Sequence, residues 1–557
     1  TLAKNYSEDA SQFILHSDLP DVKIPKVSVD EFMFLNTDKW SHLTATECAA
    51  TGRKYTHGEV RTKATNLSRN LRKKLKLQKG DVVAILLPNS PEYIIIAIGA
   101  LKAGLIVTTI NPVYTPDEIS RQLKDSSTKA IFTFTDFYQL AKTSANLTNT
   151  SVNILTIKTQ RGEASPEGAI SFDEFTENID YPDLPPSNEN DIAFLPYSSG
   201  TTGLPKGVEL THGNIVANLC QFNAKKLSVI QDTTKDHQDV IPAVLPKFHI
   251  YGLTATTLHL YQKGSNTISI IKFTPDVYLK VLRKYKPDVL FVAPPLVLFL
   301  AGHPSVTKED LQSVRTLVSG AAPLGRLDEE RFLQKAQKDI NIIQGYGLTE
   351  TSPMVTITRS DLRQLPTSSG SIGRPVPQTS IKIVNPDDPN ETPLGPNQIG
   401  ELLVKGPQVM KGYYQKPEQT RATFTKDGWL KTGDMMHYND DKLLFISDRL
   451  KELIKVKGFQ VPPAELEEII RHFPDIEDAA VIGIPHPSHG EVPRAYIVEK
   501  SGKNVDRQKL IDFVAKKVAP YKQLKGGVEI IESIPKNASG KILRRTLKEQ
   551  YTQTANK

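Results

Sequence analysis

The fold of this chain is decided by residues 82–109, which read VVAILLPNSPEYIIIAIGALKAGLIVTT. The apolar run Val82–Leu87 stops at Pro88 and predicts a buried strand. Pro91–Lys102 predicts a helix with proline in its first turn, and Leu105–Thr109 predicts a second strand. An apolar strand, helix and strand in succession indicate a parallel sheet that is covered on both faces.

The same alternation continues outward from this unit and changes character after about Ser371. Buried strands of the same kind are predicted at Ala130–Phe134, Asp288–Val292 and Thr316–Ser319. Beyond Ser371, short strands between Pro, Gly and Asp turns predict a small antiparallel β subdomain, with strands at Ile381–Val384, Gly400–Val404 and Lys442–Ile446.

A compact α/β unit is predicted after Asp448. Its elements are a helix at Pro463–His472, strands at Ala479–Gly483 and Ala495–Val498, and a helix at Arg507–Val518. We therefore place the domain boundary at Asp448-Arg449, which divides the chain into residues 1–447 and 448–557.

Length and composition narrow the class of protein. The 557 residues suit three or four domains or subdomains. A net charge of +7 is mild for this length and does not predict nucleic-acid binding. Cys48 and Cys220 lie far apart and predict neither a disulfide framework nor a zinc site. Tyr93–Ile110 and Asp288–Ala301 are too interrupted to predict a transmembrane helix.

Residues 197–207, YSSGTTGLPKG, combine hydroxyls, glycines and one lysine. Glycines let backbone amides approach an anion closely, and hydroxyls and a lysine add donors and charge, so the stretch predicts a polyphosphate-binding loop. It does not satisfy the pattern of a Walker A loop. A flexible surface linker is the alternative. The predicted ligand residues are Ser198, Ser199, Gly200, Thr201, Thr202, Gly203 and Lys206.

Three further motifs are weak individually. Residues 344–351, QGYGLTET, offer an aromatic face for a base, a hydroxyl for a phosphate and, at Glu350, a carboxylate for Mg²⁺. Residues 431–434, KTGD, and Asp448-Arg449 offer an aspartate and an arginine for ribose hydroxyls, although a surface ion pair is the alternative. Residues 535–541, PKNASGK, place a lysine at a glycine turn.

These four motifs, together and in this order, resemble the adenylate-forming superfamily of acyl-CoA synthetases, beetle luciferases and peptide-synthetase adenylation domains. The resemblance extends from about Tyr55 to Leu547, and residues 246–251 (PKFHIY) and 319–324 (SGAAPL) look most like the 4-coumarate–CoA ligase branch. It implies an α/β fold with a large N-terminal domain of two α/β sheet subdomains plus a small β subdomain, and a small mobile α+β C-terminal domain.

The resemblance also implies an ATP-dependent acid–CoA ligase that uses ATP, Mg²⁺ and coenzyme A. A carboxylic acid would become an acyl-AMP with release of pyrophosphate, and the acyl group would pass to coenzyme A. Val318 and Ala255 are small and would leave depth in the acyl pocket. We therefore expect a medium- or long-chain fatty acid, with an aromatic propenoic acid such as 4-coumarate as second choice.

Residue roles follow from the same resemblance. Ser198–Lys206 would hold the ATP phosphates, and Lys541 would bridge the acid and the α-phosphate. Thr349 would contact the α-phosphate, Glu350 would hold Mg²⁺, and His249 would lie by the acyl carboxylate. Adenine would be surrounded by Gly320, Ala321, Ala322, Gln344, Gly345 and Tyr346, and ribose would be bound by Asp434 and Arg449.

The acyl pocket and the second half-reaction would involve further residues. Asp448 would be the hinge about which the C-terminal domain rotates. The rotation would remove Lys541 and bring in Lys455 for the thioester step, with Lys457, Gly458 and Gln460 for coenzyme A. The acyl pocket would be lined by His249, Tyr251, Ala255, Val318, Ala321, Gly345, Gly347, Pro353 and Met354.

Other functions on the same fold remain open at this point. A luciferase-like oxidase is disfavoured by Ile250 and Pro353, and a carrier-loading adenylation enzyme by the lack of a carrier domain after Lys541. A non-catalytic nucleotide-binding protein is disfavoured by the presence of Lys541 and Glu350. We expect a monomer or weak homodimer. The resemblance favours the peroxisome, although the last three residues, ANK, form no targeting tripeptide, and cytoplasm or mitochondrion are alternatives.

Overall fold

A computed structural model of the protein describes residues 10–160, 162–182, 184–198, 205–449, 452–456, 459–487, 489–537 and 540–555. Of residues 10, 448, 449, 459, 460 and 555 the description covers the backbone only. The described chain forms five β-sheets flanked by helices. No helix within these ranges is both long and apolar enough to cross a membrane.

The largest sheet is built around the unit that opens the sequence analysis. Strand Val82–Leu86 pairs in parallel with Ile106–Thr109 on one side and Ala130–Phe134 on the other, because the helix Glu92–Lys102 returns the chain over one face. All five residues of Val82–Leu86 are buried. The described strands of this sheet are, in spatial order, Tyr197–Ser198, Lys206–Thr211, Ile192–Phe194, Ile106–Thr109, Val82–Leu86, Ala130–Phe134, Asn153–Ile157 and Ile170–Ser171, with Gly412–Tyr413 beside Lys206–Thr211.

Two further sheets complete the α/β part. One runs in the order Val240–Ala243, Asn266–Ser269, Thr44–Cys48 and Lys54–Thr56. The other runs in the order Val289–Val292, Thr316–Ser319, Asn341–Gly347, Met354–Ile357 and Arg374–Pro375, and its first three strands are parallel. Cys48 and Cys220 are both free and buried.

The remaining sheets belong to the β subdomain and the C-terminal lobe. The β subdomain is antiparallel, as predicted, in the order Leu15–His16, Ser380–Val384, Gly400–Lys405, Leu430–Tyr438 and Leu444–Arg449. The C-terminal lobe has the order Phe459–Val461, Ile454–Val456, Gly490–Glu499 and Ile476–His486, with Val528–Ile530 beside Gly490–Glu499. The chain changes sheet between Arg449 and Ile454, and the boundary at Asp448-Arg449 stays a prediction.

Helices cover the sheets, and several begin at a capping box in which a threonine and the residue three positions later satisfy each other's backbone amides, as at Thr56, Thr115 and Thr211. The α-helices are Val29–Phe34, His57–Lys73, Glu92–Lys102, Pro116–Asp125, Tyr138–Asn146, Phe172–Phe175, His212–Phe222, His259–Gln262, Pro275–Tyr285, Pro294–Gly302, Lys308–Leu311, Arg326–Ala336, Ser360–Arg363, Pro417–Thr423, Pro463–Arg471, Arg507–Ala515 and Arg544–Ala555. A π-helix spans Tyr251–Leu258, and 3₁₀ turns span Ala10–Phe13, Thr37–Trp40, Thr135–Phe137, Thr349–Thr351 and Pro520–Lys522.

Candidate active site

The carboxyl ends of parallel strands from two sheets meet at one large cavity. Its volume is about 980 Å³. Its wall includes Thr109 and Asn111, which end and follow one strand, and Ser319 and Gly345–Glu350, which lie in or after two others. Ligands of open α/β sheets bind outside the carboxyl ends of the strands. The cavity therefore has the expected position for a substrate site.

Both described ends of the predicted phosphate loop lie on the wall of this cavity. Ser198 and Lys206 line the wall and pair with each other across an antiparallel bridge, which closes the base of the loop. Tyr197 is fixed from outside, because its hydroxyl donates to Asp125 Oδ2 over 2.7 Å, and Lys416 Nζ lies 2.6 Å from Asp125 Oδ1. The predicted ligands Ser199, Gly200, Thr201, Thr202 and Gly203 lie outside the described residues.

Thr349 and Glu350 stand on a 3₁₀ turn beside that loop. Glu350 is 7% exposed, and its Oε1 accepts a hydrogen bond of 3.0 Å from the Tyr413 hydroxyl. Lys206 Nζ lies 4.9 Å from the centre of the same tyrosine ring. Burial, and then the Glu350 charge, raise the pKa of Tyr413, so it stays a hydrogen-bond donor. Tyr413 is a wall residue that sequence reasoning missed, since no local pattern marks it.

Tyr346 connects the nucleotide motifs of two different sheets. Its hydroxyl donates to Asp434 Oδ2 over 2.6 Å, while its ring lies on the cavity wall. Asp434 is 4% exposed and is not part of the cavity wall. Its neighbours Thr432 and Gly433 line the wall. Asp434 and Arg449 are register partners on adjacent strands, as a shared ribose site requires, although the side chain of Arg449 lies outside the described atoms.

The predicted adenine residues divide into two groups. Gly320, Ala321, Gly345 and Tyr346 line the cavity, whereas Ala322 and Gln344 do not. The Gln344 side chain accepts from the Leu324 amide (3.1 Å) and donates to the Leu324 carbonyl (3.0 Å). Its amide also donates to Glu329 Oε1 over 2.7 Å. In this structure Gln344 thus holds the loop that carries Gly320 and Ala321 and does not face the cavity.

His249 lies on the cavity wall at the start of the π-helix. The Tyr251 amide donates to His249 Nδ1 over 3.3 Å, so in the neutral ring the proton is on Nε2. Burial, followed by the nearby Lys541 charge, lowers the pKa of His249 to about 4. The imidazole is therefore neutral at physiological pH and has one N–H to offer to an anion.

Lys541 reaches the cavity from the C-terminal lobe. Its loop is fixed by Asn537, whose Oδ1 accepts from the Lys541 amide over 2.8 Å and whose own amide donates to the Lys541 carbonyl over 2.9 Å. Gly540 has a φ of +83° and packs closely against Pro295. A Cβ added at Gly540 would lie 2.7 Å from Pro295 Cγ. This contact joins the lobe to the helix Pro294–Gly302 of the large domain.

In the same orientation of the lobe, the residues predicted to serve the thioester step lie elsewhere. Lys455 is exposed in the strand Ile454–Val456 and is absent from the described cavity wall, and its amide donates to Glu491 Oε2 over 2.9 Å. Lys457 and Gly458, and the side chain of Gln460, lie outside the described part of the chain. The structure thus brings Lys541, and not Lys455, to the cavity.

The acyl-pocket prediction is matched by most of its members. Tyr251, Val318, Ala321, Gly345, Gly347, Pro353 and Met354 line the cavity. Ala255 does not: it is fully buried in the π-helix, where packing around the helix leaves it no surface on the wall. The sequence missed Phe222, Phe291 and Ile357, whose apolar side chains extend the same wall and pack in one cluster with Val318 and Met354.

Comparison with known proteins agrees with this geometry. Residues 36–414 match the family model described as AMP-binding enzyme, and residues 465–541 match the AMP-binding enzyme C-terminal domain. Among curated relatives, 4-coumarate:CoA ligase 1 of Petunia hybrida is 39% identical over 540 residues, 96% of either chain. The Arabidopsis thaliana 4-coumarate–CoA ligase 1 is 38% identical and covers 98% of this chain and 97% of the relative.

Solved structures give the same fold over nearly the whole chain. ATP-bound MatB from Rhodopseudomonas palustris is 27% identical, with a TM-score of 0.83 over 95% of this chain and 99% of that chain. The anthranilate CoA ligase AuaEII, in complex with anthranoyl-AMP, has a TM-score of 0.84 over 99% of this chain and 100% of that chain, and at 24% identity supports the fold alone.

Proposed function

This chain belongs to the family of AMP-binding enzymes and is an AMP-forming acid–CoA ligase, and we propose that it activates an apolar carboxylic acid through the residues described above. The observation that carries the proposal is the convergence of Lys206, His249, Glu350 and Lys541 on one cavity. In the first half-reaction the acid attacks the α-phosphorus of ATP and pyrophosphate leaves. In the second half-reaction the acyl group passes to the thiol of coenzyme A.

The charge problem of the first half-reaction explains these side chains. An acid carboxylate that approaches a triphosphate brings two anions together, so the reaction needs positive charge and hydrogen-bond donors at the reacting atoms. Neutral His249 offers Nε2–H to the carboxylate without competing for a proton. Lys541 adds the ammonium that neutralises charge between carboxylate and α-phosphate, and Lys206 adds a second cation at the phosphate loop.

Mg²⁺ is part of the proposal, and the residues present fit it. Magnesium is usually held by one or two carboxylates together with substrate phosphates. Glu350 supplies one nearly buried carboxylate on the wall, and its Oε1 is oriented by Tyr413. When bound, the ion would neutralise charge on the phosphate oxygens. Thr349, next to Glu350 on the wall, would donate its hydroxyl to the α-phosphate.

The second half-reaction requires a different set of groups at the same place. The acyl-adenylate is a mixed anhydride that must be kept from water, and the terminal loop that carries Lys541 covers it from one side. Coenzyme A attacks as thiolate and needs this side to open. We propose that the lobe rotates about Asp448, withdraws Lys541 and presents Lys455, with Lys457, Gly458 and Gln460 for coenzyme A.

The nature of the acid follows from the apolar part of the wall. Phe222, Phe291, Val318, Met354 and Ile357 line it and carry no charge. Such a wall favours burial of an apolar acyl chain, and we propose a medium- or long-chain fatty acid. An aromatic propenoic acid is the second candidate, since relatives 38–39% identical are named 4-coumarate–CoA ligases. Compartment and oligomeric state stay predictions.

The test is acid-dependent exchange of labelled pyrophosphate into ATP with octanoate, palmitate and 4-coumarate. We expect exchange with at least one acid, and its loss in Lys541→Met. Lys503→Met is the control, because Lys503 is an exposed lysine of the same lobe that pairs with Asp475 at 3.6 Å. Absence of exchange with every acid, or full exchange by Lys541→Met, would refute the proposed function. A strong preference for 4-coumarate would replace the fatty acid.

A further inference from the structure

We infer that Lys247 is a positioning residue for the adenylation step: its buried amine fixes the turn that presents His249 to the acid. The inference rests on the proposed function, because it gives His249 a task. It concerns a lysine of the stretch PKFHIY for which no role was predicted and which is not part of the described cavity wall.

Lys247 is buried without an ion-pair partner. It is 1% exposed, and its Nζ donates to the Ser90 carbonyl (3.0 Å) and the Ser269 hydroxyl (2.9 Å). Among the ion pairs of the described residues, none includes Lys247. Glu92, the carboxylate whose charge it feels, is bound by Arg53, with Nη2 3.0 Å from Oε2. Burial lowers the pKa of Lys247 to about 7.

Such an amine is costly, and an apolar chain of equal length would fill the space without that cost. Burying a polar group or charge without full compensation destabilises a fold. The sequence nevertheless places lysine here, two residues before His249. Stabilisation of the fold therefore explains the lysine at position 247 poorly. Positioning of the turn that carries His249 explains it better.

The turn is bound to the ends of two neighbouring strands of the large sheet. The Asn89 amide donates to the carbonyls of Ala243 and Leu245, both over 2.9 Å, and Asn89 Oδ1 accepts from the Lys247 amide over 2.8 Å. Thr109 donates from Oγ1 to the Phe248 carbonyl over 2.7 Å. The Lys247 side chain adds a link to Ser269, which lies in a different sheet.

The turn determines the position of the His249 imidazole, because its backbone contacts leave the ring little freedom to move. The His249 amide donates to the Pro246 carbonyl over 3.1 Å, and the Tyr251 amide holds His249 Nδ1. Gly252 packs so closely on Pro246 that a Cβ would lie 2.0 Å from the Pro246 carbonyl oxygen. A shift of the turn at Lys247 therefore shifts the ring, and misplacement by about 1 Å costs up to roughly a hundredfold in rate.

The test is a double-mutant cycle between Lys247→Met and His249→Ala, read in single-turnover formation of acyl-AMP. We expect Lys247→Met to lower the rate about tenfold, with the KM for ATP within about twofold of the parent. In the His249→Ala background the same change should have an effect below about twofold. Lys382→Met is the matched control, because Lys382 is also a buried lysine, 7% exposed, and lies over the Trp429 ring in the β subdomain. The Lys382→Met enzyme should form acyl-AMP at the parent rate.

Equal losses in both backgrounds would show a merely structural role and overturn the inference, as would an unchanged rate in Lys247→Met. If Lys247→Met does not fold, Ser269→Ala replaces it, because it removes one acceptor and leaves the amine. It should lower the rate about threefold with His249 present and not without it. A parent enzyme that forms no acyl-AMP with any acid would refute the proposed function instead.

Discussion

Gly540→Ala is the substitution for which the structure gives the most direct prediction. The residue has a φ of +83°, and an added Cβ would meet Pro295 Cγ at 2.7 Å and Cδ at 2.8 Å. Two costs therefore arise at one position. The first is backbone strain, which exists in every orientation of the C-terminal lobe. The second is the contact with Pro295, which belongs to the orientation that has Lys541 in the cavity and would be absent from the rotated orientation that we propose.

The magnitudes separate these two costs. An alanine in the left-handed region costs about 1–2 kcal/mol. Crowding against the ring of Pro295, which lies in the first turn of a helix and has no freedom to rotate away, adds about 1–3 kcal/mol of overpacking. Only the second cost opposes docking, and it corresponds to roughly 5- to 150-fold in the docking equilibrium. We therefore expect adenylation to fall by about tenfold or more, and thioester formation to be spared.

The assay measures the two half-reactions apart. Pyrophosphate release from ATP and acid reports adenylation, and acyl-CoA formed from supplied acyl-AMP reports thioester formation. Gly502→Ala is the matched control, because Gly502 lies in the same lobe with a φ of +72° and has nothing within 4 Å of its Cβ position. It carries the backbone strain without the contact and should leave both half-reactions near the parent rates.

Two outcomes would refute the reasoning. Adenylation by Gly540→Ala within about twofold of the parent would mean that the docked orientation does not govern this step. Equal losses in Gly540→Ala and Gly502→Ala would assign the effect to backbone strain.

Three further predictions follow from other contacts. Arg471→Met removes a charge that faces Asp328 across the lobe interface, so pyrophosphate release should fall severalfold while acyl-CoA formation from supplied acyl-AMP does not fall; equal losses would contradict it. Tyr413→Phe removes the donor on Glu350, so the Mg²⁺ concentration for half-maximal activity should rise about tenfold in a titration at fixed ATP; an unchanged midpoint would contradict it. Burial lowers the pKa of His57 to about 4, below the 6.5 of the unfolded chain, so the unfolded state binds the extra proton and stability falls as pH drops through that window. Urea unfolding should show about 2 kcal/mol lost from pH 7 to pH 5 through this group, a slope that His57→Phe should lack.

The bounds of a strand could be predicted from the sequence where the apolar run and the buried residues are the same. Ala130–Phe134 and Thr316–Ser319 have the predicted bounds, because every residue in them is buried. The strand predicted at Ala479–Gly483 runs over Ile476–His486, since its ends also pair with Gly490–Glu499, although they contain the polar residues Asp478 and His486 and a register shift between Ile476 and Asp478. The strand predicted to start at Lys442 starts at Leu444, because Lys442 has a φ of +57° in a turn.

The site was predictable as far as motifs reach. Three of the motifs place Ser198, Lys206, Glu350 and Lys541 on one cavity, although the motifs are far apart in the chain. The direction of a side chain was not predictable, as Gln344 shows, because its partners on Leu324 and Glu329 follow from tertiary packing. Phe222 and Tyr413 lack any local pattern and become wall residues through the meeting of sheets.

The short passage from the large domain to the C-terminal lobe has a kinetic consequence. Strand Leu444–Arg449 belongs to one sheet and Ile454–Val456 to another, so the two strand ends are five Cα steps apart (449 to 454) and can separate by at most about 18 Å. A tether of this length keeps the two bodies at an effective concentration in the millimolar range or above. Modest contacts, such as that of Gly540 with Pro295, then suffice to populate one arrangement, and the exchange that we propose between arrangements should not depend on enzyme concentration.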